Sequence, residues 1–214
     1  MRKNFLVIGL GRFGTSTATM LTKLGHQVLA VDRRADHVNS VKDDVTHAVQ
    51  ADTTDEHVIE QLGVNNFDCV VICIGDDIRA SALTTVLCRE NGAKRIVCKA
   101  QDLLHKLLLL KIGADTVVMP ELDGGARLAR SLVSQGVLDS LDLSEEYSIN
   151  EVMVPESWVG KSLIELNART RYGVTVVAIR RDEHVNANVD PHAPLLAGDT
   201  LFAIGSNKAF EALR

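Results

Sequence analysis

Residues 4–14 read Asn-Phe-Leu-Val-Ile-Gly-Leu-Gly-Arg-Phe-Gly, an apolar run that ends in Gly-x-Gly-x-x-Gly and passes straight into a segment of helical spacing. A run that is apolar at successive positions suits a strand buried on both faces of a parallel sheet, and residues 12–25, periodic up to Gly25, suit the helix that follows it. Between a strand and a helix the three glycines have separate mechanical uses. Gly9 permits the tight turn, Gly11 lets backbone approach a pyrophosphate, and Gly14 lets helix and strand pack closely. A second strand over 27–32 ends 18 residues after Gly14 on Asp32, where a carboxylate accepts hydrogen bonds from the ribose hydroxyls of an adenine nucleotide. Strand, glycines and acid together point to nucleotide binding. The competing reading is three turn glycines and a helix-capping Asp32.

The alternation continues. Strands are predicted near 45–50, 68–74, 95–99 and 116–119, with helices over 35–42, 54–62, 78–91 and 102–112, and Thr53-x-x-Glu56 fits a capping box at one helix start. Six strands alternating with helices predict an α/β fold, a Rossmann-like doubly wound parallel sheet. After Pro120 the pattern changes to one amphipathic helix over 122–138, which either crosses to a neighbouring subunit or domain or lies on its own sheet, followed by an acidic linker over 139–147. From Ser148 the segments are short. Strands over 149–154, 174–181 and 200–205 and helices over 162–167 and 208–213 predict a small α+β module, of a size that commonly dimerises to complete its core. The expected domains are therefore 1–139, including the crossover helix, and 148–214.

Charge and composition narrow the function classes. Against 23 Lys and Arg stand 28 Asp and Glu, a net charge of -5, the wrong sign for bulk attraction to nucleic acid or anionic lipid. No apolar run reaches the roughly 20 residues of a membrane-spanning helix, and residues 1–9 do not read as a secretory signal, so a cytoplasmic protein is expected. Cys69, Cys73, Cys88 and Cys98 form no Cys-x-x-Cys pair and read as small buried thiols in a reducing compartment.

Further polar residues fall at the carboxyl ends of predicted strands, the edge where open α/β sheets bind ligands. Asp52 and Thr53 follow the third strand, Gly75-Asp76-Asp77 the fourth, Lys99 the fifth and Glu121 the sixth. Lys99 is a candidate phosphate partner, and Glu121 could bridge a cation to nucleotide phosphates, whereas Asp52, Asp76 and Glu121 could equally serve only the helix ends beside them. Arg12 inside the glycine loop can pair with a phosphate beyond the pyrophosphate or can be a surface residue of the first helical turn. Arg33 and Arg34 suggest either a 2′-phosphate contact, against which the retained Asp32 argues, or solvated helix-start residues. Neither tyrosine starts a Tyr-x-x-x-Lys pair, no nucleophile elbow, zinc helix or P-loop is present, and the seven histidines read as dispersed and solvated. The choice lies between a non-catalytic nucleotide-binding regulator and a small NAD(P)-dependent oxidoreductase or redox sensor.

Taken together, Val7-Ile-Gly-Leu-Gly-Arg-Phe-Gly14, Val28-Leu-Ala-Val-Asp32, Ile74-Gly-Asp-Asp-Ile-Arg-Ala-Ser81, Lys99-Ala-Gln101, Lys111-Ile-Gly-Ala-Asp115 and Pro120-Glu-Leu-Asp-Gly124 resemble the RCK (regulator of K⁺ conductance) proteins. With Asp142-Leu-Ser-Glu-Glu-Tyr-Ser148, the chain is similar to the cytosolic regulatory subunits of bacterial Ktr potassium-uptake systems. The resemblance implies a homodimer that assembles into an octameric ring and docks on a membrane potassium-transporter subunit of the KtrB/KtrD type. It implies ATP and ADP as ligands, with ATP activating: Asp32 would hold the ribose, Gly9, Gly11, Phe13 and Gly14 the phosphate loop, and Arg12 the γ-phosphate. Glu121 would coordinate an activating cation, Mg²⁺ or Ca²⁺. In the C-terminal domain it implies cyclic di-AMP at a dimer interface, near Ile164, Asn167, Arg169, Thr175, Val176 and Pro191.

Overall fold

The structure, a computed structural model, describes residues 1–133, 137–144 and 146–211 and divides into two compact units, Met1–Leu122 and Asp123–Arg214. In the first, strands β1 (Asn4–Ile8), β2 (Gln27–Asp32), β3 (His47–Gln50), β4 (Cys69–Ile72), β5 (Ile96–Lys99) and β6 (Thr116–Val118) pair in parallel in the order β3-β2-β1-β4-β5-β6. Helices α1 (Arg12–Lys23), α2 (Ala35–Val41), α3 (Glu56–Leu62), α4 (Ile78–Glu90) and α5 (Leu103–Lys111) make the crossovers. Burial follows the pleat with period two: Leu6, Ile8, Val70 and Ile72 enter one core cluster, and Val7, Cys69, Val71 and Cys73 the other. Both faces of the central strands are thus covered, which is why they read as continuous apolar runs.

Three helix starts in this unit are set by aspartates. Asp55, Asp77 and Asp102 cap α3, α4 and α5, accepting from the amides of His57, Ala80 and His105. The expected capping box at Thr53 is corrected by this geometry. Asp55, extended at φ -90° and directly before the helix, takes the cap, while Thr53 is buried with its hydroxyl 3.1 Å from that of Thr84. His105, read as solvated, is 2% exposed on α5. All four cysteines are free and buried, and burial pushes the Cys73 and Cys88 thiols up to about 12 and Cys98 to about 11.

α6 (Pro120–Val133) begins in the first unit and runs past its boundary. The second unit holds an antiparallel sheet of β7 (Val137–Asp142), β8 (Tyr147–Met153), β9 (Val174–Arg181), β10 (His184–Asn186) and β11 (Thr200–Ser206), ordered β10-β9-β11-β8-β7. Helices α7 (Leu163–Leu166), α8 (Ala168–Tyr172) and α9 (Asn207–Glu211) complete it. Its core gathers Trp158, Leu166, Val174, Leu195, Leu201 and Phe210. Ser162 and Glu165 form a reciprocal capping box on α7, and Asn167, at φ 48°, turns the chain into α8. The helix expected over 122–138 and the linker over 139–147 are corrected here: α6 ends at Val133, and residues 137–142 pair with β8 as an edge strand. Residues 134–136 and 145, and the end of the last expected helix, lie outside the described residues.

Candidate functional site

The strand order reverses between β1 and β4, and in a doubly wound sheet a crevice opens at the carboxyl ends of the strands at such a point. Gly9 makes the turn out of β1 at φ +89°, and its amide donates to the Val31 carbonyl at 2.8 Å, which ties the turn to β2. A Cβ on Gly14 would overlap the Gly9 carbonyl oxygen, so only glycine lets α1 approach this closely. A Cβ on Gly11 would meet nothing within 4 Å. The space over Gly11 is open, and α1 starts there with no side-chain cap, leaving first-turn amides available to an anion.

Asp32 reaches this loop from the end of β2. Its Oδ2 accepts from the Leu10 amide at 2.6 Å and lies 3.0 Å from His37 Nδ1, while Oδ1 accepts from the Arg34 amide at 2.8 Å. Burial alone would raise this carboxyl, but hydrogen bonds from Leu10, Arg34 and His37 outweigh it and hold Asp32 below the usual aspartate value. The side chain is thus fixed and ionised, with one oxygen committed to the glycine loop and the other retaining accepting capacity.

Around the cleft stand Gly9, Gly11, Asp32, Arg33, Asp52, Thr53 and Gly75, seven of the residues singled out in the sequence. Asp52 Oδ1 accepts from the amide and hydroxyl of Thr54, which lowers its pKa and makes it the organiser of the turn after β3. Arg33 Nη1 lies 3.9 Å from Asp77 Oδ2, linking the turn after β2 to the start of α4.

Lys99, Phe13 and Glu121 gather beside the cleft. Lys99 Nζ is 2.6 Å from Glu121 Oε1 and 6.0 Å from the centre of the Phe13 ring, and a Cβ on Gly75 would lie 3.4 Å from the same nitrogen. The Lys99 hydrogen bond holds the Glu121 carboxyl below the usual glutamate value. Among the described residues no three His, Cys, Asp or Glu side chains come together as a metal site.

Arg12 is exposed on the first turn of α1, with no hydrogen-bond or ion-pair partner among the described residues, and does not line the cleft. Arg169, Thr175 and Pro191 belong to the other unit. Arg169 on α8 and Thr175 on β9 are exposed, and the Pro191 carbonyl accepts from the Ile164 amide at 3.2 Å, tying the proline turn to α7. The sequence reading missed His37, which lines the cleft against Asp32. Its signal was its place five residues after Asp32, where the first turn of α2 folds back on the strand end.

Comparison with known proteins agrees with this layout. Residues 5–120 match the TrkA-N domain and residues 149–214 the TrkA-C domain. The chain is 43% identical over 206 residues to Ktr system potassium uptake protein C of Bacillus subtilis, covering 96% of this chain and 93% of that protein. It is 36% identical to Ktr system potassium uptake protein A of Vibrio alginolyticus, covering 95% and 92%. Among solved structures, the GsuK channel superposes with a TM-score of 0.70 at 20% identity, over all of this chain and 39% of that one, which shows the shared fold. Matched along nearly its whole length, the chain belongs to the RCK family, in the Ktr-type branch of potassium-uptake proteins built from a TrkA-N and a TrkA-C domain.

Proposed function

We propose that this chain is the nucleotide-sensing subunit of a potassium-uptake system, in which ATP and ADP exchange at the cleft and the resulting shapes gate a membrane transporter subunit of the KtrB/KtrD type. The observation that carries this reading is the pairing of an open, uncapped Gly11 loop with the fixed Asp32 carboxylate at the reversal of the strand order. Asp32 binds the ribose, the loop amides bind the pyrophosphate, and Asp52, Thr53 and Arg33 border the adenosine end. Arg12, with no partner among the described residues, answers the γ-phosphate that distinguishes ATP from ADP. Since that charge meets a partner in only one arrangement, ATP favours that arrangement by its differential affinity.

The regulator works as a homodimer assembled into an octameric ring on the cytoplasmic face of the membrane. Support comes from the apolar surface of a single copy: Leu103, Leu104 and Leu107 on α5 and Leu122, Leu128 and Leu132 on α6 are each more than half exposed. Mg²⁺ or Ca²⁺ joins the ATP form at Glu121, shared between two copies, once Lys99 releases the carboxylate. The TrkA-C part binds cyclic di-AMP near Arg169, Thr175 and Pro191. No residue has a catalytic role.

Reconstitution of the chain with a KtrB/KtrD-type subunit in potassium-loaded vesicles tests the reading. Flux that rises with ATP and falls with ADP is the expected outcome, and flux indifferent to both contradicts it.

A further inference from the structure

Gln101 follows β5 by two residues and does not line the cleft, yet its side-chain amide donates to the carbonyl of Gly75, which does. The donor stands on a fixed base. The backbone amide of Gln101 donates to His105 Nδ1 at 3.4 Å, His105 is 2% exposed, and the His105 amide in turn donates to Asp102, the cap of α5, at 2.8 Å. The preceding amide, that of Ala100, donates to the Val118 carbonyl of β6 at 2.9 Å. Among the described residues Gln101 is the one donor to the Gly75 carbonyl.

Sheet order gives this bond a direction. β4 lies between β1 and β5, so the loop that leaves β4 has the glycine loop on one side and Gln101 on the other. The Gly75 carbonyl is turned to the Gln101 side. Within a trans peptide C=O and N–H point in opposite directions in one plane, so the amide of Asp76 is turned to the glycine loop. The two loops touch, since a Cβ on Gly9 would lie 3.0 Å from the Ile74 nitrogen. Asp76 lines the cleft, and its amide has no partner among the described residues. Neighbouring polar groups are already engaged: Asp77 accepts from the Ala80 amide and faces Arg33, and Lys99 Nζ is held by Glu121 at 2.6 Å.

We propose that Gln101 is a positioning residue for the phosphates of the nucleotide. By holding the Gly75 carbonyl on its own side, it presents the Asp76 amide, across from the Gly11 loop, to a phosphate oxygen. The inference rests on the nucleotide reading of the cleft. An amide aimed at an anion attracts it, and the same peptide turned over puts a carbonyl oxygen there and repels it. Without a donor at Gly75 both arrangements are open, and the nucleotide selects the first at a cost in affinity set by its population.

The test is calorimetric titration of the full chain with ADP for the wild type, Gln101→Met and Gln101→Glu, with the melting temperature of each free protein as the control for folding. Met keeps the reach of the side chain and removes the donor, whereas Glu keeps the shape but sets a carboxylate against the Gly75 carbonyl. A packing role makes Glu the milder change, and the positioning role makes it the harsher. Expected are ADP affinities about three- to tenfold weaker in Gln101→Met and about tenfold or more weaker in Gln101→Glu, the scale of one hydrogen bond, with melting temperatures near wild type because Gln101 is exposed. Adenosine, read by its displacement of ADP, keeps its wild-type affinity in both variants. Unchanged ADP affinity in Gln101→Met, equal losses for ADP and adenosine, or a free Gln101→Met protein that melts several degrees early each overturns the role of Gln101 and leaves the cleft reading standing. Should Gln101→Glu not fold, Gln101→Met decides by the same criteria. A wild type that does not bind ADP overturns the cleft reading, and the role of Gln101 with it.

Discussion

Lys99 Nζ and Glu121 Oε1 lie 2.6 Å apart, joining the end of β5 to the start of α6 beside the glycine loop. The lysine is mostly buried and the glutamate mostly exposed, at 16% and 69% of their side-chain surface. A cation brought to Glu121 must therefore compete with an ammonium already held there. Lys99→Met removes the competitor. Expected is a larger rise in melting temperature on adding Ca²⁺ or Mg²⁺ at saturating ATP, and Glu121→Gln abolishes the cation-dependent part of the shift. Equal cation effects in wild type and Lys99→Met contradict the competition.

The two inner glycines separate packing from binding. Gly14→Ala forces a methyl into the Gly9 carbonyl, so the N-terminal unit loses several degrees of thermal stability or fails to fold. Gly11→Ala points into open space and leaves the free protein near wild-type stability, but blocks the approach of a pyrophosphate. Thermal unfolding with and without ADP distinguishes them. A Gly11→Ala protein that binds ADP normally removes the loop from the phosphate site.

Arg12→Ala tests the discrimination between nucleotides. Loss of a charge-assisted phosphate contact of about 1.5 kcal/mol or more weakens ATP roughly tenfold, while ADP changes by less than about threefold. Calorimetry on the purified protein reads both constants. Equal losses for ATP and ADP remove Arg12 from the γ-phosphate.

In the C-terminal unit, Asp199 is 1% exposed and accepts two bonds of 2.7 Å from Arg181 and a third from the Leu196 amide. The Arg181 hydrogen bond first, then Leu196, hold its carboxyl below the usual aspartate value against burial. A carboxyl depressed in the folded state contributes stability above its unfolded pKa, near 4, and loses that contribution as pH falls through the folded value. Asp199→Asn should accordingly lower the melting temperature by several degrees near pH 7, and the gap to wild type should close on acidification below about pH 4. A gap that persists undiminished in acid places the cost elsewhere.

The Rossmann-like half was legible because its signals are local. Buried parallel strands are apolar throughout, and a glycine loop between strand and helix has one mechanical meaning, so all six strands and five crossover helices lie close to their expected positions. What eluded the sequence depends on long-range pairing. β7 exists because it completes the edge of β8, and nothing within 137–142 announces a partner. The cap at Asp55 displaced Thr53 because the helix starts later than its spacing suggested. In the site, Asp32 and the glycines were readable, but His37 on Asp32 and Lys99 on Glu121 are contacts between elements and could be found only in three dimensions.

Thermal unfolding of the full chain with ATP, ADP, NAD and NADH in turn, each with and without Mg²⁺ or Ca²⁺, probes nucleotide sensing most directly. A ligand at 100 times its dissociation constant adds about 2.7 kcal/mol, a shift of several degrees for a chain of this size. Stabilisation by ATP and ADP, larger for ATP when the cation is present, is the predicted result. Stabilisation by NADH alone would contradict it and identify the cleft as a dinucleotide site.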